Sequence, residues 1–292
     1  MAAAATPSLR IATPYRYRKI KSDLMMSVTI AATIITLIPL FLVLGYLLTK
    51  GFASLSWAFF THMPAPVGEP GGGMANAIVG TIEVVGLACL MGVPVGVGAG
   101  LYLAANRSSR FSDWVRFSAD VMMGLPSIVV GIFAYAVVVR PFGGFSALAG
   151  SVALAVIMVP LVTRTTEEMV ALVPPELREA SLALGVPQWK TTLAVVARTA
   201  LSGIATGVIL AVARVAGETA PLLFTAFGNR FWSTSLIHPI NTLTVQVYTY
   251  AISPFADWQR QAWAGALVLT AMVLALELGV RWVTGGAAKA PR

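Results

Sequence analysis

The chain has 292 residues, of which 57% are hydrophobic and only 11% charged, and its mean hydropathy is +0.80. Soluble domains carry about 25% charged residues, so the composition excludes an ordinary soluble protein and points to an integral membrane protein. The net charge of +8 follows membrane topology rather than one clustered patch, which excludes nucleic acid as the partner.

Six segments are long and apolar enough to cross about 30 Å of hydrocarbon, a distance that takes about 20 residues. Residues 1–24 form a basic cytoplasmic tail ending in Arg16-Tyr-Arg-Lys-Ile-Lys21, followed by a first span at 25–48. Its apolar run is too long for a secretory signal and no Ala-x-Ala cleavage site follows, so it reads as a retained anchor. The connection 50–74 holds a flexible cluster, Gly68-Glu-Pro-Gly-Gly-Gly73. The second span, 75–104, carries Glu83 and the series Gly92, Gly96, Gly98 and Gly100. No Gly-Lys-Ser/Thr follows these glycines, so they form no phosphate-binding loop. Small residues four apart let two spans approach closely.

The third span is read at 119–139, with Asp120 near its cytoplasmic end, and the fourth at 145–163. The connection 164–199 is the richest in local signals. Pro174-Pro175, Glu176 in the first turn and Gly185 past the end predict a helix of about nine residues, with Leu177, Ala180, Ser181 and Leu184 on one face. A second short element starts at Gln188. Arg164 with Glu168, and Arg178 with nearby acids, read as solvated charges.

The fifth span, 200–227, contains Arg214 and Glu218 in an otherwise apolar run. An ionised side chain at the centre of a span costs roughly 2.5–3.5 kcal/mol on insertion scales, so such groups mark a polar pathway or a structural ion pair. Four residues apart, the two are expected on one helical face, with Gly217 and Pro221 beside them placed to loosen or kink the helix. Arg214 lies about 21 Å along the helix from Ala200, beyond the midplane toward the outside. In the connection 228–261, Leu236, Ile240, Leu243, Val247 and Tyr250 recur at helical spacing and predict an amphipathic helix at the outer interface. The sixth span, 262–283, carries Glu277, and 284–292 is a cytoplasmic tail.

Fifteen of the 20 Lys and Arg residues fall in the N-terminal tail, in the connections 105–118 and 164–199, and in the C-terminal segment from Arg281. By the positive-inside rule both termini are cytoplasmic. The single cysteine, Cys89, and the distant His62 and His238 leave no disulfide framework or metal cluster in the sequence, and no cofactor is implied. Without a phosphate-binding loop, an energised transport role needs a separate motor subunit.

The segment Glu179-Ala180-Ser181-x-x-x-Gly185 resembles the loop with which permeases of ABC importers couple to their ATPase subunits. It departs from that pattern at Ser181, and Ala197-Arg198 stands where the pattern has Leu-Pro. Leu125-Pro-Ser-Ile-Val-Val-Gly131 and Pro160-Leu-Val-Thr-Arg-Thr-Thr-Glu-Glu168 are similar to further permease signatures. The block Arg214-Val-Ala-Gly-Glu-Thr-Ala-Pro-Leu-Leu-Phe-Thr-Ala226 looks like that of the phosphate-importer permeases of the PstA type. The resemblance covers roughly 75–283. It implies an all-α membrane protein of the type I importer-permease fold with six spans, and a transport subunit that is not itself an enzyme. It further implies a heterodimer with a second permease, two ATPase subunits docking on 174–190, and an extracytoplasmic phosphate-binding protein. Its functional residues map onto Arg214 and Glu218 for phosphate passage, and onto Glu179, Ala180, Ser181 and Gly185 for ATPase coupling. From the residues alone sulfate or molybdate remain alternative cargoes, and an ATP-independent anion channel an alternative class.

Overall fold

The computed structural model describes residues 14–66, 69 and 71–287. Residues 1–13, most of the glycine cluster's first half (67, 68 and 70) and the last residues of the C-terminal tail (288–292) lie outside that description. Two units are distinguished, 1–49 and 50–292.

The first unit is the bulk of helix α1 (Tyr15–Ser54). Its apolar side chains, Ile30, Ile34 and Phe41 among them, are exposed within the chain, the surface expected of a helix whose solvent is lipid. Its polar residues are made compatible with that setting locally. The hydroxyls of Ser27, Thr29, Thr33 and Thr36 each donate to the carbonyl four residues back, which leaves few polar groups unmet in hydrocarbon.

The second unit is helical throughout its described residues apart from loops and two isolated bridges, Pro64 with Gly72 and Phe227 with Ile240. After a one-turn helix α2 (Trp57–Thr61), helix α3 (Ala75–Ala105) runs against α6 (Ala147–Ala171). Between them comes a bent pair, α4 (Arg110–Gly124) and α5 (Ser127–Phe142), whose axes turn by 104° at Leu125-Pro126. The span expected at 119–139 is therefore not one straight helix. Pro126 lacks an N–H and holds the preceding residue out of the α region, so the helix must restart after it. A second bent pair comes after the short helix α7 (Pro175–Ala183): α8 (Gln188–Thr199) and α9 (Leu201–Ala216), turned by 73°. Then come α10 (Ala220–Leu223), α11 (Leu243–Ala251) and α12 (Ala256–Ala287). Among the described residues four helices are long and apolar enough to cross a membrane, and up to six spans result when each bent pair counts as one.

Three glycines of the series in α3, Gly92, Gly96 and Gly100, carry its packing against α6. A Cβ on Gly96 would lie 2.7 Å from Val162 Cβ, and one on Gly100 only 2.6 Å from the Thr163 carbonyl oxygen. Gly92 abuts Met158, whereas Gly98 has nothing within 4 Å. The stripe at every fourth residue thus lets α3 and α6 approach closely, as the spacing predicts, and Gly98 lies off it. Around this contact Val84, Ala88, Leu154, Met158, Val215 and Leu222 form the central core.

Three boundaries differ from expectation. Helix α6 continues two turns past Thr163, and Arg164 and Glu167 in that extension find partners on α4 instead of solvent. The span expected at 200–227 ends at Ala216. The amphipathic helix expected within 228–261 shrinks to α11, and its face is buried. Leu243 and Tyr250 join Phe59, Met74 and Trp258 in an inner cluster, with the Tyr250 and Trp258 rings stacked 4.5 Å apart. Leu236 and Ile240 precede that helix in irregular chain.

Candidate translocation site and coupling surface

The polar break after α9 is built by two residues. Gly217 N–H donates to the Arg214 carbonyl and Glu218 N–H to that of Val215, tightening the last turn as helix ends commonly do. Pro221 then sits in the first turn of α10, where its missing N–H is tolerated, while a helix running through from α9 would lose a bond and clash there. Glu218 accordingly stands in the non-helical step 217–219, and Arg214 in the last turn of α9. The expected common helical face does not exist. Among the described residues, neither side chain forms an ion pair or side-chain hydrogen bond. Arg214 is exposed and Glu218 half-buried. What faces Arg214 electrostatically is the carbonyl end of its own helix, which favours a cation.

Other sequence blocks converge on this break. A Cβ at Gly131 of α5 would lie 2.7 Å from Pro221 Cα, so only glycine lets α5 cross there. Gly150 of α6 faces Leu222 and Ala226 on one side and Val84 of α3 on another. Ser146 N–H donates to the Thr225 carbonyl, and Phe145 stacks on Phe227 at 4.5 Å. The signature glycine of 125–131 and the block 214–226 are thus in direct contact although about 90 residues apart. Val84 also places its neighbour Glu83 level with the break. Glu83 Oε1 is buried without a hydrogen-bond partner. Glu277 is elsewhere, in a cavity of about 230 Å³ with Thr206, Ile209 and Leu210.

Helix α7 forms over Pro175–Ala183 as its caps predict, and Gly185 ends it with φ +79°. Glu179 and Ala180 are exposed and Ser181 is buried. The Ser181 hydroxyl lies 2.9 Å from that of Thr191 on α8, itself buried, so the departure at Ser181 has a structural partner. Leu177, Leu184 and Trp189 are exposed. The face expected to hold Leu177, Ala180, Ser181 and Leu184 therefore packs inward only at Ser181 and presents an apolar surface elsewhere.

A charge network missed from sequence joins α4 to α6. Arg116 Nε donates to Glu167 Oε1 at 2.7 Å, Arg164 Nη1 to Glu167 Oε2 at 2.9 Å, and Arg164 Nε reaches Asp120 at 3.0 Å. Arg116 also bonds Asp113 and the carbonyls of Leu103 and Arg107. The Glu167 side chain is only 13% exposed, so these are not the solvated charges expected. Arg164 pairs with Glu167 and Asp120, not with Glu168, which faces outward. The spacing of 164 and 167 was a local signal; the partner 51 residues back had none.

Residues 96–286 match the family model described as binding-protein-dependent transport system inner membrane component. A phosphate transport system permease protein PstA of Yersinia pestis is 46% identical over 91% of this chain and 90% of its own. A probable PstA of Methanocaldococcus jannaschii is 35% identical over 91% of this chain and 94% of its own. The chain belongs to the PstA family of transport-system permeases. As a family member it is a multi-pass membrane transport subunit, and its fold is that of importer permeases. A chain of a bacterial alginate ABC transporter, solved with an alginate-bound periplasmic protein, superposes with a TM-score of 0.68 at 14% identity, covering 94% of this chain and 98% of that one. A chain of the MetNI methionine ABC transporter in an inward-facing conformation gives 0.61 at 16%, covering 73% and 96%.

Proposed function

We propose that the chain is one of the transmembrane subunits of an ATP-driven importer of inorganic phosphate, resident in the bacterial inner membrane. The observation that carries this reading is an unpaired, exposed arginine at the broken end of a membrane helix, in a chain 46% identical to a phosphate permease. Discontinuous helices are where transporters place substrate groups, because their ends leave backbone dipoles available away from lipid. A guanidinium stays charged at any working pH and offers a planar fork that fits two phosphate oxygens. Phosphate released by an external binding protein meets Arg214 on its way inward. Glu218, one step away in the break, accepts a hydrogen bond from protonated phosphate and repels anions that carry no proton.

Energy enters from below. Two ATPase subunits dock on 174–190, where Leu177, Leu184 and Trp189 are exposed for contact, and Glu179, Ala180, Ser181 and Gly185 form the coupling element. A second permease completes the pathway. The test is phosphate uptake by the whole complex in proteoliposomes, with and without ATP. Arg214→Gln keeps the complex assembled and lowers uptake at least tenfold. Undiminished uptake by that variant refutes the site, and equal competition by sulfate refutes phosphate as the preferred cargo.

A further inference from the structure

We propose that the Arg116–Glu167–Arg164–Asp120 network is the strut that makes the elbow helix α4 move with the coupling helix α7. The proposal rests on the ATP-driven reading above and concerns how the motor's movement reaches the broken third span. Helix α6 runs unbroken to Ala171 and is joined to α7 by three residues, so a displacement of α7 pulls directly on the end of α6. Two turns or less before that end sit Arg164 and Glu167. Glu167 is gripped by both guanidiniums, each through its own carboxylate oxygen, at 2.7 and 2.9 Å. Arg116 and Asp120, on α4, complete the chain from the other side.

The position of α4 sets that of the elbow and of α5 beyond it. Helix α4 ends at Gly124, and the chain turns by 104° at Leu125-Pro126 into α5, whose Gly131 lies on Pro221 at the polar break. A rigid α4–α6 link therefore connects coupling surface, elbow and site through direct contacts. The link is strong enough for the task. Charge-assisted bonds to a carboxylate are shorter and about twice as strong as neutral ones, and Arg116 also holds the Leu103 carbonyl at the end of α3. The same helices carry two fully buried hydroxyls without partners, Ser112 on α4 and Thr166 on α6. Unmet groups of this kind are destabilising, so apolar packing alone does not hold this arrangement at its optimum.

The experiment uses the whole complex with its ATPase in proteoliposomes and reads ATP hydrolysis and phosphate uptake together. Glu167→Gln should hydrolyse ATP within twofold of wild type while uptake falls at least tenfold. Asp120→Arg should also uncouple, because it sets a cation against Arg164, and Asp120→Glu, which keeps the carboxylate, should retain at least half of wild-type uptake, which a merely steric role does not require. Uptake of Glu167→Gln within twofold of wild type overturns the proposal. So does parallel loss of hydrolysis and uptake in an assembled complex, or an assembled Asp120→Glu variant that transports no better than Asp120→Arg. Should Glu167→Gln fail to assemble, Asp120→Asn, which removes only the half-exposed end of the chain, is expected to lower uptake about threefold at unchanged hydrolysis, and no change overturns the strut. A wild-type complex that carries sulfate or molybdate but not phosphate refutes the cargo alone, and the same variants are then read with that anion.

Discussion

A methyl group at Gly96 tests the helix packing with its own control two residues away. A Cβ there meets Val162 Cβ at 2.7 Å, Val162 Cγ1 at 2.8 Å and the Val159 carbonyl oxygen at 3.1 Å. None of these is the end of a flexible chain, so α3 and α6 must separate by several tenths of an ångström. Overpacking of this kind costs about 1–3 kcal/mol. At Gly98 nothing lies within 4 Å, and alanine there gains up to about 1 kcal/mol from reduced backbone freedom. That gain is common to both positions, so Gly96→Ala should lie about 1–3 kcal/mol below Gly98→Ala in stability. The assay is thermal unfolding of the purified complex in mild detergent, both variants side by side. Adding Val162→Ala to Gly96→Ala removes Cγ1 and should restore part of the loss, a non-additive result expected of touching residues. Equal midpoints for Gly96→Ala and Gly98→Ala would falsify the close approach of the two helices.

Two further variants probe the coupling hairpin. Ser181→Ala strands the buried Thr191 hydroxyl and should destabilise the α7–α8 contact by about 1–3 kcal/mol; Ser181→Ala with Thr191→Val should recover most of it, read as the rate of trypsin cleavage at Arg178 and Lys190. Gly185→Ala forces an alanine to φ +79° at a cost of about 1–2 kcal/mol, and the same digestion should quicken several-fold, whereas an unchanged rate means that the turn does not hold the hairpin.

Sequence carried the parts of this molecule whose signals are local. The start of α3 at Ala75, the glycine stripe and the caps of α7 all derive from neighbours within a few residues. Hydropathy could not reveal the breaks, because Leu125, Pro126, Gly217 and Pro221 sit in stretches as apolar as any span and a window average does not register a missing N–H; Gly217 and Pro221 signalled a kink, not the end of the helix. The same blindness turned 200–227 into one helix and put Arg214 and Glu218 on a shared face. Long-range pairings were equally hidden. Nothing near Glu167 announces Arg116, and nothing near Ser181 marks it as a partner rather than a defect until Thr191 lies beside it. The helix expected at the outer interface failed for a related reason. Its periodicity was real, but Leu243 and Tyr250 face other protein, and a pattern of apolar residues does not say which apolar surroundings they meet.

The break also changes how Arg214 is stabilised where lipid surrounds the helices. On a continuous helix the guanidinium would lie among hydrogen-bonded carbonyls, and only a carboxylate one turn away would offset its desolvation. In the observed arrangement Arg214 occupies the last turn of α9, where the C-terminal end of the helix dipole carries roughly half a negative elementary charge. Stabilisation of about 0.3–1 kcal/mol, rising to about 2 in partly buried settings, then comes from the backbone. That contribution does not consume the side chain's donors. All five N–H groups stay available to an anion, which a salt bridge to Glu218 would have prevented. The backbone therefore holds the charge in place while the guanidinium remains open, and under the proposed function this leaves Glu218 to discriminate among ligands by the protons they bring.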